Sequence, residues 1–285
     1  MTLEENIKSD VEMEVNRKDI LLNVTNKLQS QVGFNNIRSE ITPLLENIKQ
    51  QNNDPANFVF LGQQGLGKTI VARDLVTNYL FAINKISRPS FLKIEPNRLD
   101  KKVIAKELSN KFDEGKGGLI FIDEVHNLKD IEIVFFYLLT ESMKSEEFKM
   151  TSFIISAGGK SWVSVKERYP ILKINFQHQI YFRAYTDGEL LAILKEIILN
   201  DNLFRIPNDY ELSNIISQLK AITIKHGSRF KNASDLMFYY QNCLKKTIEN
   251  SDMKDLNENM RNQSIKTFES LKERRLINRN DKFHP

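Results

Sequence analysis

The residues best suited to chemistry lie in an eight-residue stretch, GQQGLGKT, that begins at Gly62 and ends at Thr69. The stretch fits the pattern G-x-x-x-x-G-K-[ST] without a gap. Glycines in this pattern let the backbone turn so that successive N–H groups point at phosphates, and the dipole of a following helix adds positive potential. Lys68 would contact the β- and γ-phosphates, and Thr69 would hold Mg²⁺ through its hydroxyl. The expected nucleotide-binding residues here are Gly62, Gln63, Gln64, Gly65, Leu66, Gly67, Lys68, Thr69 and Ile70.

Two carboxylates follow a separate apolar run, Leu119–Ile122. In P-loop ATPases an aspartate at the tip of such a strand orients the Mg²⁺ shell, and an adjacent glutamate polarises the attacking water. We therefore expect Asp123 to share the Mg²⁺ with Thr69, and Glu124 to act with Lys68 in catalysis. Considered without the glycine-rich stretch, this pair has an alternative interpretation: the two carboxylates only form a solvated acidic turn at the end of a strand.

A third candidate catalytic residue is Ser156, near the end of the apolar segment Thr151–Ala157. A polar side chain at this place could sense the γ-phosphate. The alternative is a serine that merely caps the end of a strand.

Five short β-rich segments alternate with helical patterns and predict an α/β fold, a mostly parallel sheet with helices on both faces. Such a P-loop NTPase sheet binds ligands at the carboxyl ends of its strands. The predicted strands are Phe58–Leu61, Ser90–Ile94, Leu119–Ile122, Thr151–Ala157 and Gln179–Tyr185. Beyond them the pattern becomes helical, and Thr186 with Glu189 predicts a capping box.

These patterns predict four parts. Residues 1–30 form a polar N-terminal extension with a helix over Asp19–Leu28, and residues 31–185 form the P-loop core. A small all-helical lid domain covers 186–249, and a charged C-terminal tail, expected to be an exposed arm, covers 250–285.

Composition favours an intracellular, soluble and therefore cytoplasmic protein. The net charge of +4 arises from 41 basic and 37 acidic residues, and it is weak support for nucleic acid binding. The single cysteine, Cys243, excludes an intramolecular disulfide. No apolar run approaches the roughly 18 residues of a membrane span, and the N-terminus is too acidic for a signal peptide.

Five strings carry a family resemblance: DPANFVFLGQQGLGKTIVARDL, GGLIFIDEVHNL, ISAGG, FRAYTDGELLAIL and NASDLMFYY. They are similar to AAA+ ATPases of the CbxX/CfqX group, which includes red-type Rubisco activases and sporulation- or secretion-associated ATPases. The resemblance implies an AAA+ core and lid, ATP as the nucleotide, and a usually hexameric ring that remodels a protein partner. It also implies that Val32, Gly33 and Phe34 lie near the adenine.

The sequence departs from this group at three places. Asn175 stands where the group has its arginine finger, and Lys173 or Arg168 could substitute. Ser234 replaces the lid's sensor arginine. Arg229 and Lys231 are the possible replacements for that sensor.

The third departure is the pore-loop segment, RLDKKVIAKEL, which is shorter than in the group and lacks its aromatic-glycine character. Three functions stay open. The first is an ATP-hydrolysing remodeller in a homo- or hetero-oligomeric ring. The second is a hydrolysis-impaired nucleotide switch or specialised subunit of a mixed ring, which would depend on a partner subunit. The third is a DNA-associated AAA+ helper, which rests only on the charged tail.

Overall fold

The computed structural model describes residues 3–51, 55–100, 102–125, 128, 131–201, 208–227, 229–249 and 258–280. The described residues form two compact units. The first contains the chain up to Gln63 and Gly67–Arg183, and the second contains Gln64–Leu66 and the chain from Ala184. Among the described residues, no helix is both long and apolar enough to cross a membrane.

A sheet of five parallel strands forms the centre of the first unit, in the order β2-β3-β4-β1-β5. The strands are β1 (Phe58–Leu61), β2 (Phe91–Ile94), β3 (Leu119–Ile122), β4 (Ser152–Ala157) and β5 (His178–Tyr181). Every residue of β1, β3 and β4 is buried, because these central strands are covered on both faces. The predicted α/β fold with a parallel sheet is confirmed.

The predicted fifth strand, Gln179–Tyr185, has the wrong bounds, since β5 covers His178–Tyr181. Its partner β1 ends at Leu61, just before the glycine-rich stretch. The Leu61 carbonyl accepts one further bond, from the Phe182 N–H at 2.7 Å. Beyond that bond no neighbouring backbone continues the ladder, so the strand stops.

Helices flank the sheet. Those of the first unit are α1 (Leu3–Ser30), α2 (Arg38–Gln50), α3 (Lys68–Ile70), α4 (Thr77–Ala82), α5 (Ile104–Gly115), α6 (Glu132–Lys144), α7 (Gly159–Arg168) and α8 (Ile171–Asn175). A π-helical turn, Val71–Val76, joins α3 to α4, so the helix after the glycine-rich stretch is continuous. Phe112 packs edge-on against Phe135 and Phe153, which ties α5 and α6 to β4.

The polar N-terminal extension is a packed helix rather than a loose segment. The helix predicted over Asp19–Leu28 is the C-terminal part of α1, and its Val24 and Leu28 are buried. Arg17 lies over the Phe81 ring at 4.5 Å and donates to the Phe81 carbonyl at 3.0 Å. Val24 and Leu28 lie one turn apart on the same face of α1, and the helix packs against α4.

The second unit is helical, with α9 (Asp187–Leu199), α10 (Asp209–Lys225), α11 (Ala233–Tyr239), α12 (Lys245–Glu249) and α13 (Glu258–Asn280). A π-helical turn, Tyr240–Leu244, joins α11 to α12. The predicted capping box is confirmed: the Thr186 hydroxyl accepts from the Glu189 N–H at 3.2 Å, and the Glu189 carboxylate accepts from the Thr186 N–H at 2.8 Å.

The C-terminal segment is not an exposed arm where it is described. Helix α13 buries Met260, Ile265 and Phe268 within the second unit. The buried Lys272 ammonium pairs with the Asp235 carboxylate at 2.7 Å. The prediction of an exposed arm followed from the high average charge of this segment. The segment nevertheless has an apolar face, and α13 packs against α10 and the π-helical turn Tyr240–Leu244.

Candidate nucleotide-binding site

The glycine-rich stretch forms a tight loop between β1 and α3. Gly65 and Gly67 have φ angles of 82° and 83°, in the left-handed region that favours glycine. Gly67 is the residue before the first turn of α3, so the loop leads into the positive end of a helix. This geometry is the one that phosphate binding requires.

Lys68 is buried at the start of α3, with 8% of its surface exposed. Its ammonium donates to the carbonyl oxygens of Gly62 at 2.9 Å and Gln63 at 2.6 Å. Burial lowers the pKa of Lys68, while Asp123 and Glu124 act in the opposite direction. The loop thus holds a cation beside its own backbone, where a phosphate oxygen could replace the carbonyls.

The other loop residues differ in exposure. Gln63, Gln64 and Ile70 are exposed, and Leu66 is buried. Thr69 is half-buried, and its hydroxyl makes no hydrogen bond to any residue that the structure describes.

Asp123 follows β3 at the carboxyl edge of the sheet. Its backbone N–H donates to the Ile94 carbonyl at 2.9 Å, and its Oδ1 accepts a hydrogen bond from the Ser156 hydroxyl at 2.7 Å. The strand register explains this contact, since Ile122 is paired with Ile155, one residue before each partner.

Glu124 has a φ of 53°, an uncommon value for a residue with a side chain. Its backbone N–H donates to the Ser156 hydroxyl at 3.1 Å. A non-glycine residue in this conformation, held by a specific hydrogen bond, is a feature often found at functional sites.

Ser156 lies inside β4 and is fully buried. Its hydroxyl accepts from Glu124 and donates to Asp123, so it joins the two carboxylate positions. These contacts differ from a simple strand cap. The γ-phosphate-sensing role stays a prediction.

Lys93 was not among the sequence-predicted site residues. Its ammonium lies 2.9 Å from Asp123 Oδ2 and 2.8 Å from Glu95 Oε1. Burial acts to lower the pKa of Lys93, but hydrogen bonds with Glu95 and Asp123 outweigh it, and the pKa is raised. A lysine within the otherwise apolar run FLKI was the only signal in the sequence.

Thr69 and Asp123 fit Mg²⁺ by the chemistry of their side chains, because hydroxyl and carboxylate oxygens are ligands that this ion prefers. Asp123 Oδ2 already pairs with a cation, the Lys93 ammonium. Mg²⁺ held there would neutralise charge on the phosphates. Within the described ranges, no group of three or more His, Cys, Asp and Glu side chains could hold a metal.

The expected adenine segment is a short 3₁₀ helix, Val32–Phe34. Phe34 is buried, and a side chain at Gly33 would meet no atom within 4 Å. The segment is tied to the carboxyl end of β5, because the Asn36 amide donates to the Arg183 carbonyl at 3.2 Å. The place of the adenine stays a prediction.

The two possible replacements for the arginine finger differ in their surroundings. Arg168 donates to the carboxylate of Glu132, a mostly buried residue on α6. Lys173 is exposed on α8 and makes no ion pair with any described residue. Asn175 is the last residue of α8 and is half-buried.

The possible sensor residues belong to the second unit, in the segment that leads into α11. Arg229 is exposed, and the Lys231 N–H donates to Asp235 Oδ2 at 2.7 Å. Ser234 is exposed in the first turn of α11. Whether Arg229 or Lys231 replaces the sensor arginine stays a prediction.

Comparison with known proteins gives one family match and several similar folds. Residues 58–162 match the model of the ATPase family associated with various cellular activities (AAA). No curated protein matches the sequence at a significant level. A RuvB variant from Thermotoga maritima is 16% identical with a TM-score of 0.55, over 81% of this chain and 68% of that chain.

Two other solved structures are similar at the same level. PCH-2 from C. elegans is 15% identical with a TM-score of 0.50, over 84% of this chain and 68% of that chain. The Aeropyrum pernix ORC1 protein, solved in complex with DNA, is 16% identical with a TM-score of 0.52, over 79% of this chain and 63% of that chain. The chain therefore has the P-loop AAA+ fold, and its residues 58–162 match the AAA family model.

Proposed function

We propose that this protein binds ATP with Mg²⁺, hydrolyses it, and uses the reaction to remodel a protein partner as part of a ring-shaped oligomer. The observation that carries the proposal is that the loop with buried Lys68 and the Asp123–Glu124 pair both follow strands at the carboxyl edge of the sheet, near enough for both carboxylates to raise the pKa of Lys68 against the effect of burial. These side chains would supply a phosphate-binding cation, a metal ligand and a base for water.

In the proposed reaction, water attacks the γ-phosphorus and its proton passes to the Glu124 carboxylate, while the bond to the β-phosphate oxygen breaks. Lys68 would stabilise the negative charge on the phosphates. Ser156 would orient both Asp123 and the Glu124 backbone, because its hydroxyl bonds to each. The products are ADP and inorganic phosphate.

The subtype is also a proposal. The strings that surround the loop and the Asp123–Glu124 pair support assignment to the CbxX/CfqX group. AAA+ proteins commonly form rings, and this supports an oligomer here. Remodelling of Rubisco in particular does not follow, since the pore segment is the part of the chain least similar to that group.

A second function is a nucleotide switch, or a subunit of a mixed ring, that is slow to hydrolyse ATP alone. Asn175 favours it, because an amide cannot supply the charge of an arginine finger. Arg168, one of the two possible replacements for the arginine finger, is paired with Glu132. It could reach a nucleotide on a neighbouring subunit only after that ion pair breaks.

The DNA-associated function has less support. One similar structure, ORC1, was solved in complex with DNA, but that is a property of that protein. In the charged C-terminal segment of this chain, Lys272 forms an internal ion pair with Asp235, so its charge is not presented to a DNA phosphate.

The test is steady-state ATP hydrolysis across a range of protein concentrations, with the mass distribution measured in parallel. A rate per subunit that rises as a larger species forms supports a self-assembling ATPase. ATP binding with negligible turnover at every concentration supports the switch or mixed ring, and absence of ATP binding refutes both.

A further inference from the structure

Lys93 places a positive charge at the oxygen where a metal ion is expected. It lies on β2, paired with Phe121 of β3, so its side chain extends along the same face toward Asp123. Its ammonium contacts Asp123 Oδ2 at 2.9 Å. About a third of the Lys93 side chain, 32%, is exposed, so the group can move.

Both oxygens of Asp123 are occupied in this arrangement. Oδ1 accepts from the Ser156 hydroxyl at 2.7 Å, and Oδ2 pairs with Lys93. A metal ion that uses Oδ2 therefore competes with the ammonium, because two cations at one carboxylate oxygen repel each other.

A second carboxylate can retain the displaced lysine. Glu95 Oε1 lies 2.8 Å from the Lys93 ammonium, so the lysine bridges two acidic groups. The other oxygen of Glu95 pairs with Arg98 at 2.5 Å, which holds the carboxylate in place. Leaving Asp123 costs the lysine one of two ion pairs, and it remains bound to Glu95.

We propose that Lys93 is a positioning residue that holds Asp123 while the metal is absent, and that Mg²⁺ displaces it onto Glu95 when the nucleotide binds. This inference rests on the proposed function. Lys93 and Glu95 would then set the Mg²⁺ concentration at which nucleotide binds tightly, with opposite effects. Removing the lysine charge removes a competitor, and removing the Glu95 charge leaves the lysine with Asp123 alone.

The test is the affinity for a fluorescent, non-hydrolysable ATP analogue, measured as a function of free Mg²⁺. We expect the half-saturating Mg²⁺ concentration to fall about twofold to fivefold in Lys93→Met and to rise by a similar factor in Glu95→Gln, as for partly exposed ion pairs. Lys93→Arg keeps the charge and should retain the wild-type value. Loss of packing alone would not produce this pattern of opposite shifts and rescue.

Lys116→Met is the matched control, since Lys116 is exposed to the same degree, 33%, and pairs with Glu147 and Asp113 away from the site. An unchanged Mg²⁺ dependence in both Lys93→Met and Glu95→Gln overturns the proposal. Weaker analogue binding by Lys93→Met in EDTA, with no Mg²⁺ shift, also overturns it and assigns Lys93 to the phosphate. If the wild-type protein does not bind the analogue at all, the proposed function fails instead, and this inference with it.

Discussion

At the scale of single residues, the site depends on a small polar network that begins at Ser156. This buried hydroxyl joins Asp123 Oδ1 to the backbone of Glu124. A buried hydroxyl with both a donor and an acceptor partner fixes its neighbours more firmly than an exposed one. Ser156 therefore links the metal ligand and the water-activating residue of the proposed reaction.

Replacing Glu124 with glutamine should separate binding from hydrolysis. Since an amide cannot accept the proton of water, we expect ATP turnover to fall by about 10²-fold or more, within the range for general bases. Nucleotide affinity should change little, because Lys68 and the loop remain. Turnover is measured by phosphate release and affinity by equilibrium titration.

Glu141→Gln, a change of an exposed glutamate on α6, provides the control. If Glu124→Gln and the control hydrolyse ATP at the wild-type rate, the role given to Glu124 is wrong.

The sequence predicted the parts of this site that are contiguous in the chain. The glycine-rich loop and the Asp123–Glu124 pair are local patterns with a known chemical meaning. The contacts of Lys93 with Asp123, and of Ser156 with both carboxylate positions, depend on the register of three strands that are distant in sequence. No local pattern encodes such a register, so these contacts required the structure.

At the scale of elements, the two ends of the chain were the least predictable parts. Their charged composition suggested solvated segments, yet α1 buries Val24 and Leu28, and α13 buries Ile265 and Phe268. Val24 and Leu28 are four residues apart and Ile265 and Phe268 are three apart, so each pair lies on one face of its helix. Whether such a charged segment packs or stays solvated depends more on its tertiary contacts than on its average polarity.

Phe268 anchors α13 in the second unit. It is fully buried and lies against the rings of Phe238 and Tyr239, at centroid distances of 6.1 and 6.0 Å. We expect Phe268→Ala to lower the free energy of unfolding by about 3 to 5 kcal/mol, measured by urea denaturation. Met237→Ala, at a partly exposed position, should have a much smaller effect. Equal effects of the two changes would contradict the packing of α13.

Cys243 lies in the π-helical turn and should make stability depend on pH. Burial raises the pKa of this thiol from 9.0 to about 11, against a smaller opposing effect of Lys246. Between these values the unfolded chain loses the proton and the folded chain keeps it. Stability therefore falls as the pH rises through this window, by up to about 1.4 kcal/mol per pH unit.

Cys243→Ala removes this contribution. The stability advantage of the wild-type protein over Cys243→Ala should shrink between pH 8 and pH 10.5, as measured by urea unfolding at both values. A difference that is independent of pH would show that the thiol titrates normally in the folded state.

At the scale of the whole molecule, the proposed ring requires a neighbouring subunit to contribute a cation to the nucleotide site. If the alignment that places Asn175 at the arginine-finger position is right, Asn175→Arg should increase ATP hydrolysis per subunit where oligomers form. A trans arginine contributes about 10³- to 10⁵-fold in GTPases, so even a partly aligned one should give a clear increase. The measurement is phosphate release at high and low protein concentration.

Asn175→Gln is the control for a change of side-chain size without charge. The absence of any increase in Asn175→Arg, in a preparation that does form oligomers, would count against this alignment.

The most direct test of the central claim is calorimetric titration of ATP in the presence of Mg²⁺, for the wild-type protein and for Lys68→Ala. We expect saturable binding by the wild-type chain and loss of measurable binding in Lys68→Ala, because in the proposed function the buried ammonium is the cation that binds the phosphates. Equal ATP affinity in the two proteins would show that nucleotide does not bind at this loop.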